Sequence, residues 1–408
     1  MPHGSSAGSS PTRAAEGLPI VPPLVVIAGY LVRYPLGGYA WQALHFLAGF
    51  RALGCEVFFY EDSAYYREAY VPGAPSMEAE GYEYGIRHAA GFFERHGFGD
   101  AWAFWDAAAD RYAGAGHERA RAALADADLF VNLGGVNRVP RERRPKAASA
   151  YVDLDPAYTQ LRLAEGDTLL RDLVAEHDAH FTLGENVGRP ECRIPSGGFT
   201  WRPIRQPVQT DLWSPLPPED GAAYTTIGKW DSAGRDVVFE GQVFAWRKRS
   251  EWFRFLDLPR LTGERFRVAM DVASRPDDLR RLEAAGWEVV DPLAVSSDPE
   301  AYRAFVRRSR GEFTVAKDVN VRLASGWFSD RSACYLAAGR PVVNQDTRFD
   351  RQLPTGAGLF TFRSPAEAAA AIRTIAADYD RHCRVAREIA VHYFAPERAL
   401  ASLVALIR

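Results

Sequence analysis

Cysteine is scarce in this chain. There are four among 408 residues, Cys55, Cys192, Cys334 and Cys383, scattered and without metal-ligand spacing. Such spacing argues against a disulfide framework or a cysteine-built metal site, and suits buried or inert thiols in a reducing cytoplasm. Net charge is scarce as well: 49 basic against 52 acidic residues leave −3. That balance argues against a strongly basic surface, so no nucleic-acid partner is expected. Long apolar runs are missing. Residues 1–23, rich in Ser, Gly, Pro and Ala, hold no signal-peptide core, and no later stretch is long and apolar enough to cross a bilayer. A disordered tail over 1–23, a cytoplasmic location and no integral membrane segment are therefore expected. There is no internal repeat and no coiled coil.

What is present is an ordinary globular balance, 47% hydrophobic and 25% charged. At this length two domains are the prior. Leu24 to Ala28 is a continuous apolar run that reads as a buried parallel strand. A loop from Gly29 to Gly38, a helix-spaced stretch to Leu53 and a second strand at Glu56–Tyr60 complete the opening of a doubly wound sheet. Residues 61–115 are crowded with aromatics, including Tyr65, Tyr70, Phe92, Phe93, Trp102 and Phe104. They read either as helix core or as an acceptor-binding insertion. Three further strands end in polar loops at Gly134–Asn137, Asp153–Pro156 and Gly184–Gly188. Open α/β sheets bind ligands at such strand ends. A Pro-rich linker over 206–222 separates 24–205 from 223–392. The second unit reads as strand Asp236–Glu240, loop, helix Arg247–Leu256, and then further α/β units. A terminal helix is expected over Pro396–Arg408.

The most informative stretch runs from Ser325 through Gly326-Trp327-Phe328-Ser329-Asp330-Arg331-Ser332 to Gly339-Arg340-Pro341-Val342-Val343. Ser329 suits an N-cap and Gly339 a C′ position. A small-residue loop feeding a helix N-terminus collects backbone N–H groups and positive dipole at one spot. Arg331 and Ser332 add a cation and a hydroxyl, as a diphosphate would require. A second cation cluster, Arg247-Lys248-Arg249, opens a helix, where the macrodipole disfavours it by roughly 0.3–1 kcal/mol each. An anion at that spot, or a solvated basic turn, accounts for it.

The helix followed by Ala337-Ala338-Gly339-Arg340-Pro341-Val342-Val343 resembles the donor domain of GT-B fold glycosyltransferases, and the resemblance extends loosely over 24–408. It implies an α/β fold of two Rossmann-like doubly wound domains facing a central cleft. The N-terminal domain takes the acceptor, the C-terminal domain takes the donor, and segment 393–408 crosses back onto the first domain. It implies transfer of a sugar from a UDP-, dTDP- or GDP-sugar to a hydroxyl on a small molecule or glycan, with no cofactor and no metal. A homodimer is compatible with it. Donor contacts are expected at Lys248 and Arg249, at Ser329, Arg331 and Ser332, and at Gln345 and Asp346 after the Val342-Val343 strand. Glu312 or Lys317 would reach a ribose or phosphate. Gly37, Gly38 and Tyr39, in the first glycine loop, would touch the acceptor.

Two departures from the family are visible. Where retaining members carry two glutamates, this chain has Gly326 and Cys334. Where many inverting members carry a base histidine in the first loop, the nearest is His45, inside the helix. A base for the acceptor hydroxyl must then come from the first-domain carboxylates Asp155, Asp153 or Glu185, with Asp155 preferred. Asp153-Leu154-Asp155 also spells a metal-holding triplet, but a complete second α/β domain follows it. A nucleotide-sugar epimerase and a non-catalytic nucleotide-sugar binder remain alternatives.

Overall fold

The computed structural model describes residues 21–64, 66–74, 78–217, 221–231 and 236–407. The expectation for the tail at residues 1–20, and those for Tyr65 and Pro218, lie outside the described residues. Leu24–Ala28 (β1) is covered on both faces, as a continuous run of branched apolar side chains demands. The first half continues with Glu56–Asp62 (β2), a small hairpin of Glu68–Tyr70 (β3) and Glu78–Glu80 (β4), Trp102–Asp106 (β5), Arg111–Ala113 (β6), Leu129–Leu133 (β7), Ala148–Asp153 (β8), Ala179–Thr182 (β9) and Trp201–Pro203 (β10). These strands, without the hairpin, form one sheet in the order β10-β9-β8-β7-β1-β2-β5-β6. Every pairing in it is parallel except β5 with β6.

The second half holds Tyr224–Ile227 (β11), a hairpin of Val237–Phe239 (β12) and Gln242–Phe244 (β13), Phe266–Ala269 (β14), Trp287–Val290 (β15), Gly311–Thr314 (β16), Val342–Gln345 (β17) and Leu359–Phe362 (β18). Its sheet, in the order β15-β14-β11-β16-β17-β18, is parallel throughout. This is the two-sheet α/β architecture expected from the sequence.

Three local readings change. The first strand of the second sheet is Tyr224–Ile227, whereas the expected strand at Asp236–Glu240 is one arm of an exposed hairpin. Val237 to Phe239 has the right residues for a strand but no second apolar face to bury. Residues 61–115 are not a purely helical insertion, since they supply β5 and β6 of the main sheet. Phe92, Phe93, Trp102 and Phe104 are buried there as core. The terminal helix is two short ones, Pro396–Ala399 and Ala401–Val404. Pro396–Ala399 packs on the first helix, Gly37–Ala52, and the Val208 amide donates to the Phe394 carbonyl at 2.8 Å.

The two halves meet through helices and loops. A Cβ on Gly37 would lie 2.6 Å from the Tyr302 Cβ, so only glycine lets the Gly37–Ala52 helix approach the Pro299–Arg308 helix this closely. Trp41 Nε1 donates to the Pro299 carbonyl at 2.7 Å beside that contact. No helix among the described residues is long and apolar enough to cross a membrane.

Candidate functional site

The carboxyl ends of both parallel sheets face one another, so the loops that follow β8 and β9 meet those that follow β16 and β17. Gly184 bridges Trp327 in antiparallel fashion, the Asn186 amide donates to the Ser325 carbonyl at 3.0 Å, and the Gly326 amide donates to the Thr347 carbonyl at 2.8 Å. Gly326 has φ +73°, and a Cβ on it would fall 2.7 Å from the Asn186 side chain. The glycine of the informative stretch is thus required by the join between the halves as well as by its own backbone.

On the second-domain side the Asp330–Ala337 helix begins at Ser329, whose side chain makes no cap hydrogen bond and turns instead to Asp330. The Ser332 hydroxyl is buried without a partner. The helix N-terminus therefore keeps its dipole and its free N–H groups unspent by side-chain capping. Arg331 points away from this end into the domain. Its guanidinium donates to Glu312 Oε1 (2.7 Å), the Ile227 carbonyl (2.6 Å) and Thr314 Oγ1 (3.0 Å). Burial alone would lower its pKa, but the Glu312 carboxylate more than offsets this and the net shift is upward. Glu312 is fully buried by the same contact. The expected ligands Arg331 and Glu312 are thus a buried ion pair that props the helix from below.

The cation cluster divides. Arg247, Arg249, Lys317 and Arg331 pair with Asp231, Asp278, Asp155 and Glu312 respectively. Arg249 is held in a two-pronged contact with Asp278 that also receives the Trp230 indole N–H, which turns it away from donor binding. Lys248, among the described residues, pairs with no carboxylate and sits over the Trp327 ring, 5.4 Å from its centroid. Its pKa is pushed down to about 7, chiefly by burial and then by Arg331 and Lys317, against weaker opposition from Glu312 and Asp330. A half-buried ammonium that is repelled by two neighbours and pairs with no acid is the strongest anion signal in the molecule.

Gln345 and Asp346 are already engaged. Gln345 bridges Glu251 and the Ala316 amide at 2.7 and 3.0 Å, and Asp346 accepts from the Arg348 amide and Arg363 at 2.7 and 2.6 Å. Both are buried, so they shape the loop after β17 instead of offering free groups to a sugar.

The first-domain carboxylates also separate. Asp153 is buried and accepts four hydrogen bonds, from the Asp155 amide, Thr159, Gln160 and Thr182. That leaves it no free lone pair toward a substrate. Glu185 accepts both prongs of Arg205 at 2.7 and 2.8 Å. Asp155 alone keeps an exposed side chain, 46% accessible, at the mouth, and Lys317 Nζ reaches across to it at 2.9 Å. The two aspartates of the triplet therefore do not converge on one open position. Among the described residues no group of three or more His, Cys, Asp or Glu side chains gathers.

Gly37 and Gly38 serve the helix contact with Tyr302, whereas Tyr39 faces the mouth near Asp155. Burial first, and then the Asp155 charge, raise its phenol to about 12. Cys334, at one of the two glutamate positions, and His45, the histidine nearest the first loop, come together in the interior. Cys334 Sγ lies 3.8 Å from His45 Nε2, and burial holds His45 neutral with a pKa of about 3. Neither reaches the cleft. Sequence reasoning missed Trp246, whose ring lies 3.1 Å from Lys317 Nζ, and Tyr30, Tyr34 and Tyr158 at the same mouth. The tryptophan beside the cation cluster was the available signal. Two depressions, of about 380 and 410 Å³, are present: one around Trp201 is lined also by Glu185 and Val187, and one around Tyr379 lies at a helix whose N-terminus is capped by Asp378.

Neither a family model nor a curated protein matches the sequence. Solved structures do resemble the fold. An alpha-glucosyltransferase in complex with UDP and a 13-mer DNA aligns over 94% of this chain and 99% of its own at TM-score 0.61 and 10% identity. A sucrose-phosphate synthase from Thermosynechococcus elongatus aligns over 95% and 98% at TM-score 0.52 and 11% identity. HepE of Anabaena, in complex with UDP and glucose, aligns over 94% and 99% at TM-score 0.52 and 9% identity. The DNA in the first of these overturns the expectation of no nucleic-acid partner, because net charge says nothing about a local surface on this scaffold. With both sheets, the crossover of the C-terminal helices and the end-to-end alignments in agreement, the chain has the GT-B fold of glycosyltransferases.

Proposed function

We propose that this chain is a glycosyltransferase that moves a sugar from a nucleoside-diphosphate sugar to an acceptor hydroxyl. The observation that carries the reading is Lys248: a half-buried ammonium with no acidic partner among the described residues, beside a helix N-terminus that no side chain caps. A donor diphosphate supplies the missing charge and accepts the free N–H groups. Residues 223–392 take the donor, 24–205 the acceptor, 206–222 the link, and 393–408 the return crossing. UDP is the first nucleotide to test, since two of the similar structures carry it. All four cysteines are free thiols, which supports a cytoplasmic setting.

In the reaction the acceptor oxygen bonds to the anomeric carbon while the bond from that carbon to the diphosphate oxygen breaks. The acceptor proton passes to Asp155, and the negative charge leaves on the diphosphate, where Lys248 and the helix dipole stabilise it. Lys317 holds Asp155 in the unliganded cleft. A bound diphosphate competes for that ammonium, so donor binding also frees the base.

The test is a thermal-shift series with UDP, dTDP, GDP and ADP on the wild type and on Lys248→Ala. One diphosphate is expected to raise Tm, by an amount set by its excess over Kd, and the rise should shrink sharply in Lys248→Ala. No rise with any of the four would sink the donor site. Acceptor turnover is then assayed with phenols, sugars and a hydroxyl-bearing oligonucleotide.

A further inference from the structure

We propose that Tyr34, backed by Tyr30, Tyr39 and Tyr70, is a stacking platform for an acceptor whose reactive hydroxyl is carried on an aromatic ring. This rests on the glycosyltransferase reading and specifies its substrate class. Most aromatics of the first domain are consumed by the core, as Phe92, Phe93, Trp102 and Phe104 are. Tyr30, Tyr34 and Tyr70 are not, and Tyr39 is only partly buried against it. Tyr30 lies 4.6 Å from Tyr39 and 5.8 Å from Tyr34, centroid to centroid, and Tyr34 lies 5.8 Å from Tyr39. Tyr70, from the β3 strand of the separate hairpin, stacks on Tyr34 at 6.4 Å with the planes only 22° apart. Tyr34 remains 38% exposed in the middle of this group. An exposed ring supported by two tyrosines of its own loop and helix start, and by a third from the hairpin, presents a face that water covers poorly and a flat ligand covers well.

The platform is held rigid. The fully buried Glu61 carboxylate accepts the amides of Leu31, Val32 and Arg33 at 2.6, 2.7 and 2.9 Å, and the Arg33 guanidinium at 3.3 Å. Leu31, Val32 and Arg33 are thereby drawn inward, leaving Tyr30 and Tyr34 to face the mouth. The Tyr70 amide donates to the Arg33 carbonyl at 2.8 Å, which ties the hairpin to the same loop. A loop fixed in this way loses little entropy when a ring settles on it.

The chemistry of the base selects the same class. Tyr30 and Tyr39 both feel the charge of Asp155, so the platform lies beside the proton acceptor. Asp155, once a bound diphosphate has taken Lys317 from it, is a lone carboxylate, and among the described residues no histidine hydrogen-bonds to it. A phenolic hydroxyl, with a pKa near 10, gives up its proton to such a base far more readily than an alcohol of water-like acidity near 15.7. Phenol faces also offer few of the paired donors and acceptors that a glycan's hydroxyls require.

The experiment titrates 2-naphthol, followed by its own fluorescence, into wild type, Tyr34→Phe and Tyr34→Ala at saturating UDP. UDP binding to each is measured separately by calorimetry, and methyl β-glucopyranoside serves as competitor. Saturable binding that persists in Tyr34→Phe, weakens by about tenfold in Tyr34→Ala and resists the glucoside is the expected result, with UDP affinity the same in all three. Absence of saturable naphthol binding while UDP binds overturns the platform and leaves the transferase reading standing. Equal naphthol affinity in Tyr34→Ala, or displacement by an equimolar amount of glucoside, overturns it as well. Naphthol binding at Tyr34 without any UDP binding keeps the platform and removes the donor reading.

Discussion

The candidate groups of the two walls differ in sign, carboxylates on the first and cations on the second, and on both walls most are spent on structure. On the first-domain wall Asp153 is saturated by four hydrogen bonds and Glu185 is clamped by Arg205, which leaves Asp155. On the second-domain wall Arg249 is held by Asp278 and Arg331 by Glu312, which leaves Lys248. Lys317 joins the walls by pairing with Asp155. Residue type at a strand end therefore does not identify a functional group; how far its charge is buried and committed to the domain's own structure does.

The sharpest way to break this comparison is to neutralise two first-domain carboxylates, Asp155 and Asp153, in turn. Asp155→Asn is expected to lower kcat by roughly 10²–10⁴ while shifting stability by less than about 1 kcal/mol, because its ion pair is exposed. Asp153→Asn should do the reverse, lowering Tm, since an amide in place of the carboxylate forces a donor against donors at a buried site. Turnover in Asp155→Asn equal to wild type would remove the residue from the mechanism.

The same logic applied to the opposite wall concerns Arg331. Arg331→Ala leaves the Glu312 carboxylate buried and unpaired, a loss of about 3–5 kcal/mol. Chemical denaturation should show that loss without any ligand present, and replacing both partners by apolar residues, as in Arg331→Met with Glu312→Leu, should recover most of it. A large loss of UDP affinity in Arg331→Ala with unchanged stability would instead put the guanidinium on the donor.

Much of the scaffold was legible. The continuous run Leu24–Ala28 and the block Ala337–Val343 have patterns with one reading each, a buried parallel strand and a helix–turn–strand. The hairpin at Val237–Phe239 was not legible as such, because three β-formers look alike in a central strand and at an edge. Within the site, Lys248 and Asp155 were named from position, but so were Arg249, Asp153 and Glu185. What separates them is a set of partners, Asp278, Thr182 and Arg205, that lie 20 to 29 residues away in the chain. The tyrosine platform was hidden for the same reason, since Tyr70 joins Tyr34 only through the fold.

The join between the walls is tested at Gly326. Gly326→Ala places a Cβ at φ +73° and 2.7 Å from the Asn186 side chain. The backbone strain alone is about 1–2 kcal/mol. Asn186→Ala in the same chain should relieve the side-chain clash but neither the strain nor the 3.0 Å approach to the Asn186 backbone nitrogen, and it removes hydrogen bonds to the Ala324 and Arg348 carbonyls, so the double variant is expected to regain only part of the lost Tm. Full recovery would mean that φ at this position is not constrained, and no loss in the single variant would mean that the loops do not dock as described.

The effect most specific to the unpaired cation, and the most gradual, is its pH dependence. Lys248 falls from 10.5 to about 7 on folding, so between those values the unfolded chain binds more protons than the folded one. Stability should therefore rise with pH across 7–10.5 through this group, by at most about 1.4 kcal/mol per pH unit, and Lys248→Met should lack that slope. Diphosphate binding runs the other way. The anion favours the protonated ammonium, so its Kd should weaken above pH 7, by at most about tenfold per pH unit, with proton uptake on binding. Lys248→Arg keeps its charge throughout and should flatten the profile. Calorimetry of UDP binding from pH 7 to 9, in two buffers of different ionisation enthalpy, reads both affinity and protons. A flat wild-type profile with no proton uptake would mean that Lys248 does not contact the diphosphate, and would remove it from the donor site.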